Sequence, residues 1–111
     1  MAKGIMVVES APADAEREAE YNEWYSGTHI GEICAIPGFV AARRYKIRGT
    51  DPNSSAKDSY LAVYEIEADD LDQPLAELAA RSADGRSVAS DALRLSPPPV
   101  VTIYELIDEA P

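Results

Sequence analysis

Glu20–Tyr45 reads EYNEWYSGTHIGEICAIPGFVAARRY, and the change inside it from helical to strand periodicity sets the architecture of the chain. Its 26 residues hold the only Trp, the only His, the only Cys, the only Phe and three of the six Tyr. Tyr21, Tyr25 and His29 recur at four-residue intervals, with Trp24, Thr28 and Glu32 on the adjoining row, the spacing of neighbours on one helix face. Upstream, Asp14 is placed to cap a first turn. The pattern therefore predicts a helix over 15–35, bent or broken where Gly27 and Gly31 each cost about 1 kcal/mol relative to alanine. Pro37-Gly38 ends that helix. From Phe39 to Arg48 the period drops to two, which predicts a strand with Phe39, Ala41, Arg43, Tyr45 and Ile47 on one face.

The remaining segments fall into place around this pair. Lys3 to Glu9 is a short β-rich run, closed by Ser10-Ala11-Pro12. GTDPNSSAK, Gly49 to Lys57, is a polar turn-forming connection between two strands. Asp58 to Glu67 alternates again, with Tyr60, Ala62, Tyr64 and Ile66 on one face. Leu71 to about Leu95 reads as a second helix, interrupted near Asp84-Gly85, and Ser96-Pro97-Pro98-Pro99 blocks its continuation. Val100 to Asp108 is the last strand. The order β-α-β-β-α-β is that of an α+β, ferredoxin-like fold, an antiparallel sheet with two helices on one face. Leu61, Val63, Val101, Ile103 and Ile107 alternate opposite the tyrosine rows, so the second sheet face is apolar too. A bare apolar face of that size marks an interface, and a homodimer formed sheet to sheet covers it.

Composition narrows the function. The 111 residues suit a single domain spanning 1–111, and 46% hydrophobic content is ordinary for a globular chain. Twenty acidic residues against 10 basic ones give a net charge of −10, which repels phosphate backbones and anionic lipid, so no nucleic-acid and no membrane partner is expected. One cysteine makes no internal disulfide, and one His with one Cys makes a poor metal site. A Gly-rich phosphate loop is missing. The expectation is a cytoplasmic protein with no metal and no tightly bound cofactor.

The motif YNEWYSGTHIGEICAIPGFVAARRY resembles that of the EthD-like group of the dimeric α/β-barrel superfamily. There an aromatic-rich first helix ends in a His-containing turn, followed by Pro-Gly and a strand with basic and aromatic residues. His29, Pro37-Gly38 and Arg43-Arg44-Tyr45 match these in order. Gly31 departs from the pattern, since many members carry Pro two residues after the His. The element order covers nearly the whole chain, the motif about a quarter of it. The resemblance implies a dimeric α/β barrel built from two ferredoxin-like chains, and a small-molecule site. It does not select a reaction, because the superfamily hosts monooxygenases, isomerases, haem-degrading enzymes and members without known activity.

His29 is the candidate general acid or base, since imidazole alone has an unperturbed pKa near neutrality, about 6.5. The competing reading is a helix-end histidine bonded to a carbonyl. Arg43 and Arg44 point to opposite faces of their strand, so only one can face His29. The row containing small Ala41 suggests Arg43, placed to hold a substrate carboxylate or an enolate, or else paired with a glutamate. Tyr21, Trp24, Tyr25, Tyr45 and Tyr64 are the candidate substrate-binding aromatics, suited to stack a ring and bond its substituents, or to fill a core. Three readings follow: acid/base catalysis on a cyclic or carbonyl-bearing small organic ligand (isomerisation, dehydration or cofactor-free oxygenation), non-catalytic binding of a hydrophobic metabolite in the same pocket, or a scaffold dimer whose aromatics are pure core.

Overall fold

A computed structural model describes residues 1–54, 58–85 and 89–111. Strand β1, Ala2–Ser10, lies at the centre of a four-stranded antiparallel sheet of order β2-β3-β1-β4, with β2 Phe39–Lys46, β3 Tyr60–Ala68 and β4 Val100–Glu105. One face of β3 and β1 is the core: Tyr60, Ala62, Tyr64 and Ile66 alternate with Met6 and Val8, as period two requires. The loop expected between β2 and β3 is described only as far as Ser54 and from Asp58 onward.

The first helical region crosses that core face in pieces. A 3-10 turn, Ala15–Arg17, is capped by Asp14, whose carboxylate accepts from the Arg17 N–H at 3.1 Å. Helix α1, Glu18–Trp24, passes into a π-helical turn, Tyr25–His29, and resumes as α2, Ile30–Cys34. The Ile30 N–H donates to Tyr25 O, the i→i+5 bond of a π turn. Gly27 sits inside that turn, so the weakness expected around Gly27 and Gly31 takes the form of one extra residue in the coil rather than a stop. The left-handed Gly38, φ 103°, then turns the chain into β2, and a Cβ there would lie 2.9 Å from the Pro74 side chain. Its carbonyl accepts from the Glu67 N–H at 2.8 Å, which ties the turn to the end of β3.

Helix α3, Asp72–Ala83, covers the other half of the same face through Pro74, with Leu71, Leu75 and Leu78 packed against the core. It is shorter than the helix expected to reach Leu95. Asp84 closes it, Gly85 is left-handed at φ 80°, and the chain returns at residue 89 without helix. Ala92 and Leu93 are instead buried beside the end of β1, where Leu93 bridges Pro12 and Ala92 O accepts from the Ala13 N–H at 2.6 Å. Core burial of these two side chains outweighs helix propensity there.

The parity of two strands also differs from the expected one. The β2–β3 register shifts between Phe39 and Ala41, the mark of a β-bulge. The bulge puts Phe39 and then Ala42, Arg44 and Lys46 on the helix side, opposite Tyr64, Ala62 and Tyr60, and turns Arg43 and Tyr45 to the open side. In β4, Ile103 pairs Met6 and Val101 pairs Val8, so these two lie on the helix side, while Val100, Thr102 and Tyr104 join the open face. That face nonetheless stays apolar, with Ile5, Val7, Leu61 and Val63 at its centre and Tyr45 and Tyr104 at its edges, 51% and 54% exposed.

Candidate functional site

His29 closes the π turn, and the turn decides what it meets. Its ring stacks on Trp24, centroids 4.6 Å apart and 21° between planes, and receives the edge of Tyr25 at 5.0 Å. Nδ1 is buried and faces Glu32 Oε1 at 3.8 Å, too long for a hydrogen bond, and neither atom has another partner among the described residues. Burial first, and the Arg44 cation second, push the imidazole down to about 4. Closing the gap between Nδ1 and the Glu32 carboxylate would return the ring toward its usual value. As the acceptor beside Nδ1, Glu32 favours the neutral tautomer that carries its proton there and leaves Nε2 as the basic nitrogen. This assignment rests on the carboxylate's position.

A cavity of about 220 Å³ opens beside these rings. Trp24, Tyr25, His29 and Ile33 wall it from the first helical region, and Leu78 and Ser82 from α3. Its floor is Met6, Val8 and the edge residue Val101, and Leu93 and Pro99 close the far side. A larger hollow of about 390 Å³ lies by the open face, between β1, β3 and the C-terminal segment. Its lining includes Glu65, Glu67, Glu105, Asp108 and Glu109 but no His29 and none of the helix aromatics. Size favours this hollow, and one of about 430 Å³ beside Gly38 and Pro74, but chemistry favours the first, since of the three it alone is lined by an imidazole.

Arg44, not Arg43, is the arginine of this region. Its guanidinium lies over the Tyr25 ring at 4.4 Å, with the Tyr60 and Tyr21 rings at 5.3 and 5.4 Å. Nη1 donates to Ser26 Oγ at 2.8 Å and Nη2 to Asn22 Oδ1 at 2.9 Å. Asn22 Nδ2 donates to Tyr60 OH at 3.0 Å, and that hydroxyl donates to Glu18 Oε2 at 2.5 Å. Lys46 Nζ meets the same carboxylate at 3.2 Å. The Tyr60 bond, then Lys46, holds the Glu18 carboxyl below its usual range. The period of the sequence alone does not single out this polar seam. Its signal was the i, i+4 pair Asn22 and Ser26, which a helix stacks on one row toward the strand.

Of the expected site residues, Trp24, Tyr25 and His29 come together at the cavity. Tyr21 and Tyr64, both fully buried, sit behind it. Tyr21 OH and Ser10 Oγ are 2.5 Å apart, whereas Tyr64 OH, beside the Tyr25 phenol, makes no hydrogen bond of good geometry among the described residues. Burial, and then the neighbouring Tyr25 phenol, raises the Tyr64 ionisation far above the ordinary tyrosine range, so it stays neutral. Arg43 and Tyr45 are not brought to His29. Arg43 pairs with Glu65 at 2.7 Å on the open face, its side chain 55% exposed. Among the described residues, no group of three or more His, Cys, Asp or Glu could hold a metal ion, and no helix is long and apolar enough to cross a membrane.

No protein-family model and no curated protein matches the chain. Two solved structures do. One is an ethyl tert-butyl ether D (EthD) family protein from Bacillus halodurans C-125, 21% identical with a TM-score of 0.59, the match covering 96% of this chain and 100% of that one. The other is an EthD-like protein from Ralstonia eutropha JMP134, 13% identical with a TM-score of 0.61, covering 99% and 96%. The chain has the fold of EthD-like proteins over nearly its whole length.

Proposed function

We propose that this EthD-like chain acts on a small organic molecule held in the cavity between the first helical region and the sheet, with His29 as general base and then general acid. One observation carries the reading: the chain's single histidine borders an apolar cavity, packed against both Trp24 and Tyr25, with Nδ1 turned to a carboxylate. A neutral imidazole with a free Nε2 can take a proton from a carbon beside a carbonyl. Where that carbon also adjoins a C=C bond, the C–H electron pair passes into a dienolate, and the same proton returns at the far carbon of the former double bond as the C=C moves into conjugation, an isomerisation that balances without a cofactor. The imidazolium formed pairs with the enolate, so the cavity never carries an unpaired charge. Arg44, one ring removed behind Tyr25, adds a positive field without touching the substrate.

A base held near pKa 4 is available throughout the neutral range but is weak, so movement of Glu32 onto Nδ1 is the natural way to strengthen it when substrate excludes water. The open sheet face belongs to the same proposal. Two chains joined face to face would enclose Tyr45, Tyr104, Val63 and Leu61 and complete a dimeric barrel. The alternative, a binding protein without catalysis, keeps the same cavity and differs only at His29.

The test is His29→Ala against a screen of cyclic ketones, lactones and phenols. The expected result is an intact fold by circular dichroism, a turnover lower by about 10²–10⁴-fold and a much smaller loss of affinity, because the aromatic wall remains. Equal turnover in the two proteins overturns the catalytic role and leaves the binding protein.

A further inference from the structure

We infer that the cavity selects an uncharged molecule about the size of one substituted ring and rejects carboxylates and ammonium ions of the same shape. This rests on the placement of the site proposed above and names its ligand class. The volume sets the size. A cavity of about 150 Å³ lined by aliphatic residues holds one benzene, so about 220 Å³ accommodates a ring with a short substituent. The wall sets the charge. Apart from His29, Ser82 and the Tyr25 ring, its lining among the described residues is aliphatic, proline or indole, and no Lys, Arg, Asp or Glu among those residues borders it.

The cation that sequence reasoning assigned to a carboxylate is committed elsewhere. Arg43 is paired with Glu65 on the far side of the sheet. Arg44 has Tyr25 between it and the cavity and gives two of its hydrogen bonds to Ser26 and Asn22. An anion entering the cavity would lose its hydration and find no direct partner. His29 is neutral across the physiological range, so a carboxylate gains a positive partner only by drawing a proton onto an imidazole held near 4, a cost that a neutral ligand does not meet. A buried unpaired ion costs several kcal/mol, whereas a hydroxyl or carbonyl needs one hydrogen bond, which His29 can make.

The experiment uses Trp24, the only tryptophan, as reporter, since it stacks on His29 in the cavity wall. Benzyl alcohol, benzaldehyde, benzoate and benzylammonium are titrated at pH 7.5 while indole fluorescence is followed. The expected result is saturable quenching or enhancement with the two neutral compounds, and binding at least about 100-fold weaker for the two ions. Val101→Phe, at the open edge of the cavity, is expected to weaken the neutral compounds by 10-fold or more, and Leu78→Phe provides a second way of filling it. Benzoate binding as tightly as benzyl alcohol overturns the inference and leaves the site standing. Neutral binding unchanged in both filled variants, or no response to any compound, overturns the inference and the site together.

Discussion

Tyr25 is the residue on which the two halves of the site lean. Its edge meets His29 on the cavity side, and its face meets the Arg44 guanidinium on the other. A cation over a phenol contributes about 0.5–2 kcal/mol, more as water is excluded. Arg44 also opposes protonation of His29, so Arg44→Met is expected to raise the imidazole from about 4 toward 6.5, read from Trp24 fluorescence against pH, since a stacked imidazolium quenches indole. An unchanged midpoint would mean that burial alone sets the value. The depressed pKa also fixes a sign for stability. The unfolded chain binds the proton at about 6.5 and the folded chain only at about 4, so this contribution is complete above 6.5 and is lost as pH falls from 6.5 to 4. Denaturant midpoints in that window are expected to fall with pH in the wild type and less steeply in His29→Phe. At this scale Trp24, Tyr25 and His29 were legible because one helical row dictates their neighbours. Arg44 was not, because one extra residue in β2 reverses which arginine faces in, and Val40-Ala41-Ala42 carries no glycine to signal a bulge.

The elements show where local signals suffice and where packing overrules them. Pro37-Gly38 gave the end of the first helix correctly, because a left-handed turn against Pro74 leaves room for no side chain. Gly38→Ala is accordingly expected to cost about 1–3 kcal/mol through its backbone conformation, with further loss from the clash at Pro74, measured by urea unfolding. Gly27 announced a weak point in the helix, but the π turn that forms there depends on Tyr25 and His29 being held against the sheet. Propensity alone does not contain that information. Tyr21 is a comparable case. Its hydroxyl is fully buried on Ser10, and Tyr21→Phe is expected to cost about 1–3 kcal/mol by leaving Ser10 Oγ without its partner. The helical pattern of Ala92 and Leu93 extends the expected second helix too far, and their packing beside the end of β1 explains their burial.

At the scale of the molecule, the β-α-β-β-α-β order and the two-sided sheet were readable from period-two runs separated by turn residues. The membership of the open face was readable only in part, since the pairing of β4 with β1 places Val101 and Ile103 on the helix side. What remains open to water still carries Ile5, Val7, Leu61, Val63, Tyr45 and Tyr104. A face-to-face dimer should bury roughly 800 Å² or more per chain. Sedimentation is therefore expected to show a dimer at micromolar concentration, and Val63→Glu, in the middle of that face, a folded monomer. A monomeric wild type would remove the barrel from the account but not the cavity, which lies wholly on the helix side of one chain.

The most direct test of His29 as a poised base is the ¹⁵N spectrum of its imidazole against pH, free and with a neutral single-ring ligand. One histidine in the chain gives one pair of nitrogen signals to follow. The account predicts the neutral form at pH 7 with the proton on Nδ1, a midpoint near 4, and a shift of Nε2 when ligand is added. A midpoint near 6.5 with neither nitrogen moved by ligand would contradict it.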